Sequence, residues 1–170
     1  RTALAERGFD FEFVATVEAR GRLVPDLVAT VGQLNVPAGS INVVPGRCTF
    51  SLDVRATTDP VRDAAVTDLL GALASICERR GLAHRIEETM RAAAAPSDAA
   101  WQARWEAAVE SLGLPVFRMP SGAGHDAMKL HDLMPQAMLF VRGENAGISH
   151  NPLESSTAED LDLAVRAFQH

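Results

Sequence analysis

The sequence "CTFSLDVR" (48–55) is followed, after three linking residues, by "DPVRDAAVTDLLGALASICERRG" (59–81). The first part alternates polar and apolar side chains with a period of two, which is typical of a strand with one buried face. In the second part apolar residues recur at every third or fourth position, at Val61, Ala65, Leu69, Leu73 and Ile76. Asp59 can cap the amino terminus of this helix, Pro60 suits its first turn, and Gly81 ends it. The stretch therefore predicts a strand followed by a long amphipathic helix.

The residues around this stretch predict further strands. The run "LVATVGQL" (27–34) is rich in β-branched and apolar residues, and it predicts a strand before the one at 48–55. Turn signals at 37–39 and 45–46 interrupt the chain between the two. Residues 82–90 predict another strand after the helix. The order strand, strand, helix, strand indicates a small α+β layer.

The segment "RAAAAPSDAA" (91–100) predicts a boundary between two structural units, because an alanine run is broken by Pro96 and followed by a new helix cap. Beyond it we predict helices at about 99–111, 126–133 and 156–169 and strands at 115–119 and 136–141. The segment 136–141 is nearly all apolar, as in strands that are buried on both faces of an α/β sheet. Residues 97–170 therefore read as the end of an α/β domain.

Composition and charge narrow the class of protein. The chain has 170 residues, of which 47% are hydrophobic and 22% charged, enough to bury a core as one domain or two small ones. A net charge of -6 and a pI near 5.3 argue against binding to nucleic acid or an anionic membrane. Cys48 and Cys77 lack metal-type spacing, which indicates reduced core thiols. Since no membrane segment or signal peptide is evident, we expect a cytoplasmic protein, and a first residue other than Met indicates a piece of a longer chain.

Two glycine-containing stretches each carry a histidine. In "MPSGAGHDAM" (119–128) the glycines let the main chain pass close to a ligand or adopt a positive φ beside His125. In "RGENAGISHNPLES" (142–155) His150 follows a predicted buried strand, where open α/β sheets bind ligands, and Glu154 can orient it. Taken singly, each histidine also fits an ordinary turn. Because both loops follow neighbouring predicted strands, we expect the two histidines to converge on one edge of the sheet.

Three motifs, in this order along the chain, resemble the hydantoinase/carbamoylase group of the M20 metallopeptidase clan. They are "INVVPGRCTFSLDVR" (41–55), "SGAGHDAM" (121–128) and "GISHNPLE" (147–154). That group comprises allantoate amidohydrolases, N-carbamoyl-L-amino acid hydrolases and β-ureidopropionases. The likeness extends from about Asp26 to His170.

The resemblance implies a fold class, namely the C-terminal part of a metallopeptidase-like α/β sandwich and part of an α+β lid or dimerisation domain. Residues 26–94 fall on the lid and residues 95–170 on the catalytic domain, with a homodimer formed through the lid. Residues 1–25 are an unmatched segment at a place where the family has a long helix. There the sequence "VATV" occurs at 14–17 and again at 28–31, which predicts a hairpin.

Roles for individual residues also follow from the resemblance. By this resemblance, His150 corresponds to a ligand of a two-metal centre. His125 corresponds to the residue that lines the substrate and stabilises the developing oxyanion, and Gly124 lies beside it. Asn42 and Arg55 fall on the residues that bind the substrate carboxylate, to which an amide can donate and a guanidinium can bind bidentately. Without the resemblance, Arg55 is better explained as a surface strand residue in an ion pair.

The activity that the likeness implies is metal-assisted hydrolysis of the C–N bond of a small ureido or carbamoyl compound that carries a carboxylate. Allantoate is favoured as substrate, and N-carbamoyl-L-amino acids and β-ureidopropionate are the alternatives. Zinc and manganese both suit the histidine and carboxylate ligands of the family's two-metal centre. A metal-bridging water would attack the carbonyl.

Most of the family's metal ligands lie upstream of the lid and are not matched in this chain. Glu87 and Glu88 resemble a missing glutamate pair, and His84 lies nearby, but on a predicted strand they read as solvent-facing charges. A catalytically incomplete dimerising module is therefore the competing interpretation. Its apolar sheet face would consist of Val28, Val31, Leu52 and Val54.

Overall fold

The structure is a computed structural model that describes residues 9–170, with side chains described from residue 11 onward. The chain divides into two compact units, Arg1–Ala94 and Ala95–His170. The start of the unmatched segment 1–25 lies outside the described residues. The assignment of the two units to a lid and a catalytic domain stays a prediction.

The first unit combines two helices with short antiparallel strands among its described residues. In chain order these are α1 (Phe9–Leu23), β1 (Val28–Thr30), β2 (Leu34–Asn35), β3 (Thr49–Phe50), β4 (Asp53–Arg55) and α2 (Asp59–Arg79). β1 pairs with β4, and β2 pairs with β3. The register sets Arg55 opposite Val28 and Asp53 opposite Thr30, so both charged residues lie on the last strand before α2.

The predicted helix at 59–80 is confirmed as α2, although its amino terminus differs in detail. Thr58 is extended and occupies the cap position, and Asp59 is the first helical residue. The Asp59 carboxylate accepts the backbone N–H of Ala94 at 2.8 Å instead of capping its own helix. Gly81 follows the carboxyl end with a φ of 61°, a conformation that glycine adopts without steric cost.

The core of the first unit lies between α1, α2 and the strands. Its buried members are Phe13, Val17, Leu69, Leu73, Ile76 and Cys77. The ring of Phe13 packs against that of Phe50, with centroids 5.2 Å apart. Burial raises the pKa of the Cys77 thiol, so this cysteine stays protonated, as expected for a core thiol.

The hairpin predicted from the two "VATV" copies is wrong, because residues 14–17 lie within α1. Phe13 and Val17 are four residues apart, so both point from one face of a helix into the core. Ion pairs reinforce this choice, since Glu12 binds Arg79 at the end of α2 and the adjacent Arg80 at 2.6 and 2.7 Å. The helix expected from the resemblance is therefore present before β1.

The strand predicted at 82–90 is also wrong. These residues form neither helix nor strand and are exposed throughout. The interpretation of His84, Glu87 and Glu88 as solvent-facing is confirmed. The apolar face proposed for a dimerising module is corrected as well, because three of its four residues, Val31, Leu52 and Val54, pack against the unit's own core.

In the second unit the described residues form helices only. They are α3 (Ala99–Ser111), the short α4 (Ala127–Leu130), a single 3-10 turn (Asn145–Gly147) and α5 (Ala158–Gln169). The Asp98 carboxylate caps α3 by accepting the N–H groups of Ala100 and Trp101, both at 3.0 Å. Trp105 of α3 meets Phe168 of α5 edge to face at 4.6 Å. The helices predicted at 99–111 and 156–169 are confirmed, and the one at 126–133 is shorter than predicted.

The strands predicted at 115–119 and 136–141 are not formed among the described residues. A strand requires a neighbour to accept its backbone hydrogen bonds, and no bond of the described residues joins these two segments. Arg118 instead ties the first segment to Glu106 of α3, which lowers the pKa of that carboxyl. Apolar composition alone therefore predicted the wrong local structure here.

Candidate functional site

His125 lies in the loop that leads into α4 and is half-buried. Its ring Nδ1 accepts the backbone N–H of Ala127 at 3.1 Å. Its carbonyl oxygen accepts the backbone N–H of Met128 at 3.0 Å. The imidazole is therefore held by the first turn of the helix that follows it.

This hydrogen bond selects one form of the ring. Because Nδ1 of His125 accepts this hydrogen bond, it carries no hydrogen itself, and in the neutral ring the hydrogen is on Nε2. The Nε2–H group can then donate to an oxygen that gains negative charge. This is the role that the resemblance implies for His125.

The glycines of this loop do not adopt a left-handed backbone. Neither Gly122 nor Gly124 is among the residues with positive φ. A Cβ at Gly124 would meet the Met128 sulfur at 3.6 Å, an ordinary contact. Of the two explanations for the glycine pair, the positive φ is therefore excluded.

The loop from residue 143 to residue 155 has an unusual backbone around His150. Asn145, Ala146, Gly147 and His150 have φ angles of 50, 61, 71 and 55°. Such a left-handed conformation costs a residue other than glycine roughly 1–2 kcal/mol. Backbone strain of this kind occurs preferentially at functional sites, where surrounding contacts maintain it. His150 itself is exposed.

Hydrogen bonds within the loop maintain this conformation. The backbone N–H of Glu144 donates to the Ser155 carbonyl at 2.9 Å, which joins the two ends. The backbone N–H of His150 donates to Oε2 of Glu154 at 2.7 Å. A Cβ at Gly143 would lie 3.3 Å from Gly147 Cα, so this close approach of the backbone favours glycine.

The two predicted carboxylate-binding residues lie in the first unit. Asn42 is exposed, and its side-chain oxygen accepts the Ser40 hydroxyl at 3.0 Å, so the amide hydrogens remain the groups that can bind an anion. Arg55 is half-exposed and binds Asp53 through Nε at 2.6 Å and Nη2 at 3.2 Å. The hydrogen bond and the charge of Asp53 raise the pKa of Arg55.

The pairing of Arg55 with Asp53 is the ion pair expected when the resemblance is set aside. Sequence reasoning did not identify Asp53 as the partner. The signal was present, because residues i and i+2 of a strand project from the same face. A substrate carboxylate at Arg55 must therefore share this guanidinium with Asp53.

A different depression lies elsewhere on the second unit, with a volume of about 520 Å³. Its wall includes Asp98, His131 and Gln136, but none of the predicted site residues. Gln136 is 9% exposed, and its Nε2 donates to the Pro96 carbonyl at 3.3 Å. His131 thus has a structural setting distinct from those of His125 and His150.

The donors for a metal centre are incomplete within the described part of the chain. Among residues 9–170, no three His, Cys, Asp or Glu side chains are grouped so that they could hold one ion. These residues alone do not fit a two-metal centre. His150 as a ligand, and the convergence of His125 and His150 on one pocket, stay predictions.

Residues 3–170 match the family described as peptidase family M20/M25/M40, and the chain belongs to this family. It is 34% identical over 159 residues to an N-carbamoyl-L-amino acid amidohydrolase from Geobacillus stearothermophilus, covering 94% of this chain and 39% of the relative. It is 36% identical over 147 residues to the allantoate amidohydrolase of Bacillus subtilis, covering 86% and 35%. The resemblance drawn from the three motifs is confirmed. The prediction that residues 1–25 are unmatched is wrong, because the family match begins at residue 3.

Comparison with solved structures gives the same class. An amidase of the hydantoinase/carbamoylase family from Burkholderia multivorans superposes with a TM-score of 0.90 and 32% identity, covering 95% of this chain and 39% of that one. The predicted fold class is thereby confirmed, because the chain forms part of the mixed helix and sheet fold of these amidases. The chain spans somewhat more than a third of the length of these relatives.

Within the described residues, no helix is both long and apolar enough to cross a membrane.

Proposed function

We propose that the protein carrying this chain hydrolyses the C–N bond of a ureido group in a small carboxylate-bearing substrate. The observation that carries the proposal is the hydrogen bond from the Ala127 N–H to Nδ1 of His125, which leaves Nε2–H as a fixed donor. Membership of the M20/M25/M40 family and similarity to amidohydrolases of ureido compounds support it.

His125 would act where negative charge develops. When water adds to the ureido carbonyl, the carbonyl oxygen becomes an oxyanion in a tetrahedral intermediate, and collapse of this intermediate breaks the C–N bond. A donor that is already oriented stabilises the oxyanion more in the transition state than in the ground state. Its half-buried ring and its bond to α4 restrict the orientations of the imidazole before substrate arrives.

Asn42 and Arg55 would bind the carboxylate of the substrate. The guanidinium is planar and offers a fork that matches a carboxylate, and the Asn42 amide adds a neutral donor. Asp53 holds one edge of the Arg55 fork, which limits the orientations of the guanidinium. Gly124 would allow the substrate to approach the backbone beside His125.

We place allantoate first among the substrates and N-carbamoyl-L-amino acids second, with β-ureidopropionate as a further alternative. Allantoate and N-carbamoyl-L-amino acids correspond to the names of the Bacillus and Geobacillus relatives. Both carry a ureido group and a carboxylate, so they satisfy the same donors.

A divalent metal, zinc or manganese, would supply the activated water, and His150 would be one of its ligands. The described residues alone do not assemble a group that could hold this metal. The contribution proposed for this chain is the set of donors that it would offer to the substrate.

The test is ammonia release by the complete protein that carries this sequence, supplied with zinc or manganese chloride and offered each of the three substrates. We expect release, and we expect His125→Ala to lower kcat about 100-fold to 1000-fold, the cost of removing one oxyanion donor. His131→Ala is the matched control, since His131 is a half-buried histidine of the same unit that lines the other depression.

Two results would overturn the proposal. If the wild-type protein released no ammonia from any of the substrates but formed a dimer, a non-catalytic dimerising module would be favoured. Of the four residues predicted to form the dimerising face, Val28, 51% exposed on β1, remains available for such a contact. If His125→Ala were as active as His131→Ala, His125 would have no role in the reaction.

A further inference from the structure

The loop that carries His150 is closed by hydrogen bonds at three levels. At its base, the Ser155 hydroxyl donates to Oε2 of Glu144 at 2.8 Å, in addition to the backbone bond between the same two residues. In its middle, Nδ2 of Asn145 donates to the Leu153 carbonyl at 2.8 Å. At its tip, the Glu154 carboxylate accepts the backbone N–H of His150. The loop is therefore held by its own residues.

The bond at the tip differs from the others in position, and it shares a carboxylate acceptor only with the Ser155–Glu144 bond at the base. It joins a backbone N–H to a carboxylate at 2.7 Å, and hydrogen bonds to a charged acceptor are shorter and about twice as strong as neutral ones. It also acts at the residue whose φ of 55° is strained, whereas Gly147 adopts its φ of 71° without cost. Glu154 thus contacts the main chain of His150 rather than its ring.

The residues around Glu154 hold its carboxylate in place. The backbone N–H of Glu154 donates to the Asn151 carbonyl at 2.9 Å. The side chain of Asn151 in turn accepts the backbone N–H of Leu153 at 3.0 Å. This turn places the carboxylate of Glu154, four residues after His150 in the sequence, next to the backbone N–H of His150.

We propose that Glu154 is a positioning residue, which keeps His150 in the left-handed conformation and so directs the imidazole. This inference rests on the proposed function, because it assumes that the ring of His150 takes part in the reaction. Glu154 acts through the backbone and leaves both ring nitrogens of His150 for ligand chemistry. Removing its carboxylate would let the residue relax toward an ordinary φ and turn the ring away.

The experiment compares Glu154→Ala, Glu154→Gln and a control, Glu159→Ala, in the complete protein. Glu159 is an exposed carboxylate in the first turn of α5, five residues from Glu154 in the sequence. Its replacement by alanine removes the same negative charge as Glu154→Ala. Hydrogen exchange of peptides that span residues 143–155 measures the loop, and steady-state kinetics with allantoate and N-carbamoyl-L-amino acids measure the reaction. Exchange in α3 reports whether each variant is folded.

We expect Glu154→Ala to accelerate exchange in the loop and to lower kcat about 10-fold to 100-fold, the usual cost of losing a residue that orients a functional histidine. KM should stay nearly constant, because Glu154 does not touch the substrate. Glu154→Gln keeps an oxygen acceptor and should recover part of both losses. Glu159→Ala should match the wild type.

Unchanged hydrogen exchange of the loop in Glu154→Ala would show that Glu154 does not maintain the loop conformation. Faster exchange with an unchanged kcat would show that Glu154 does not position His150 for the reaction. A wild-type protein without activity on any ureido substrate would instead reject the proposed function, and with it the catalytic part of this inference. The exchange measurement would still decide whether Glu154 maintains the loop. The two failures are therefore distinguishable.

Discussion

At the scale of single residues, the ion pair between Arg55 and Asp53 leads to the most direct prediction. A lysine at position 55 keeps the positive charge but cannot reproduce the fork that binds two carboxylate oxygens. We expect Arg55→Lys in the complete protein to raise KM for allantoate or an N-carbamoyl-L-amino acid about tenfold, or roughly 1.4 kcal/mol. Steady-state kinetics measure this change, with Arg47→Lys as the control, because Arg47 is an exposed arginine of the same unit. A KM equal to that of the wild type would remove Arg55 from the substrate site and leave it as a surface ion pair.

At the scale of elements, the segment 88–94 is held to the start of α2 by charged groups, although it forms neither helix nor strand. Arg62, whose side chain is only 16% exposed, binds Asp59 at 2.8 Å and Asp63 at 2.9 Å and donates to the Ala92 carbonyl. We expect Arg62→Met to release the segment and to raise hydrogen exchange at Ala94 about tenfold, while the interior of α2 changes little. Arg85→Met is the control, because Arg85 lies just before this segment, its side chain is exposed, and its ion pair with Glu87 is long at 3.6 Å. Equal exchange at Ala94 in the two variants would show that Arg62 does not anchor the segment.

The same segment has a defined dependence on pH. The hydrogen bond and charge of Arg91 lower the pKa of Glu88 below its ordinary value. A carboxyl whose pKa is lowered by folding contributes stability that is complete above its unfolded pKa and is lost as the pH falls through its folded pKa. The Arg91–Glu88 pair, at 3.0 Å, therefore persists to a lower pH than it would if the pKa of Glu88 had its ordinary value.

At the scale of the whole molecule, the two units bury their apolar side chains to very different extents. Phe13 in the first unit is 1% exposed, whereas Phe117 in the second is 82% exposed. We expect Phe13→Ala to lower the free energy of unfolding by about 3–5 kcal/mol, because it opens a cavity in the core. Phe117→Ala should change it by less than about 0.5 kcal/mol, as for other surface substitutions. Urea unfolding of the 170-residue chain measures both, and similar losses in the two variants would contradict the difference in burial.

The helices were predictable from the sequence because their signals are local. Leu69, Leu73 and Ile76 recur at helical spacing, and Asp98 is a helix cap visible in the sequence, so α2 and α3 were located within a residue or two. The candidate residues were predictable only through the motifs, since a single histidine in a glycine-containing loop has several explanations. The bond from Ala127 to His125 and that from His150 to Glu154 depend on backbone angles that the residue types do not specify.

The amino-acid sequence alone was enough to predict α2, α3 and α5, the family and the candidate site residues, because each depends on spacing or on a short motif. Whether an apolar stretch became a strand depended on tertiary contacts. Residues 14–17 joined a helix since Phe13 and Val17 could pack on α2, and residues 115–119 and 136–141 formed no strands because, among the described residues, no chain pairs with them. A strand, unlike a helix, is completed by hydrogen bonds to residues distant in the sequence, and no local pattern shows whether those partners are present.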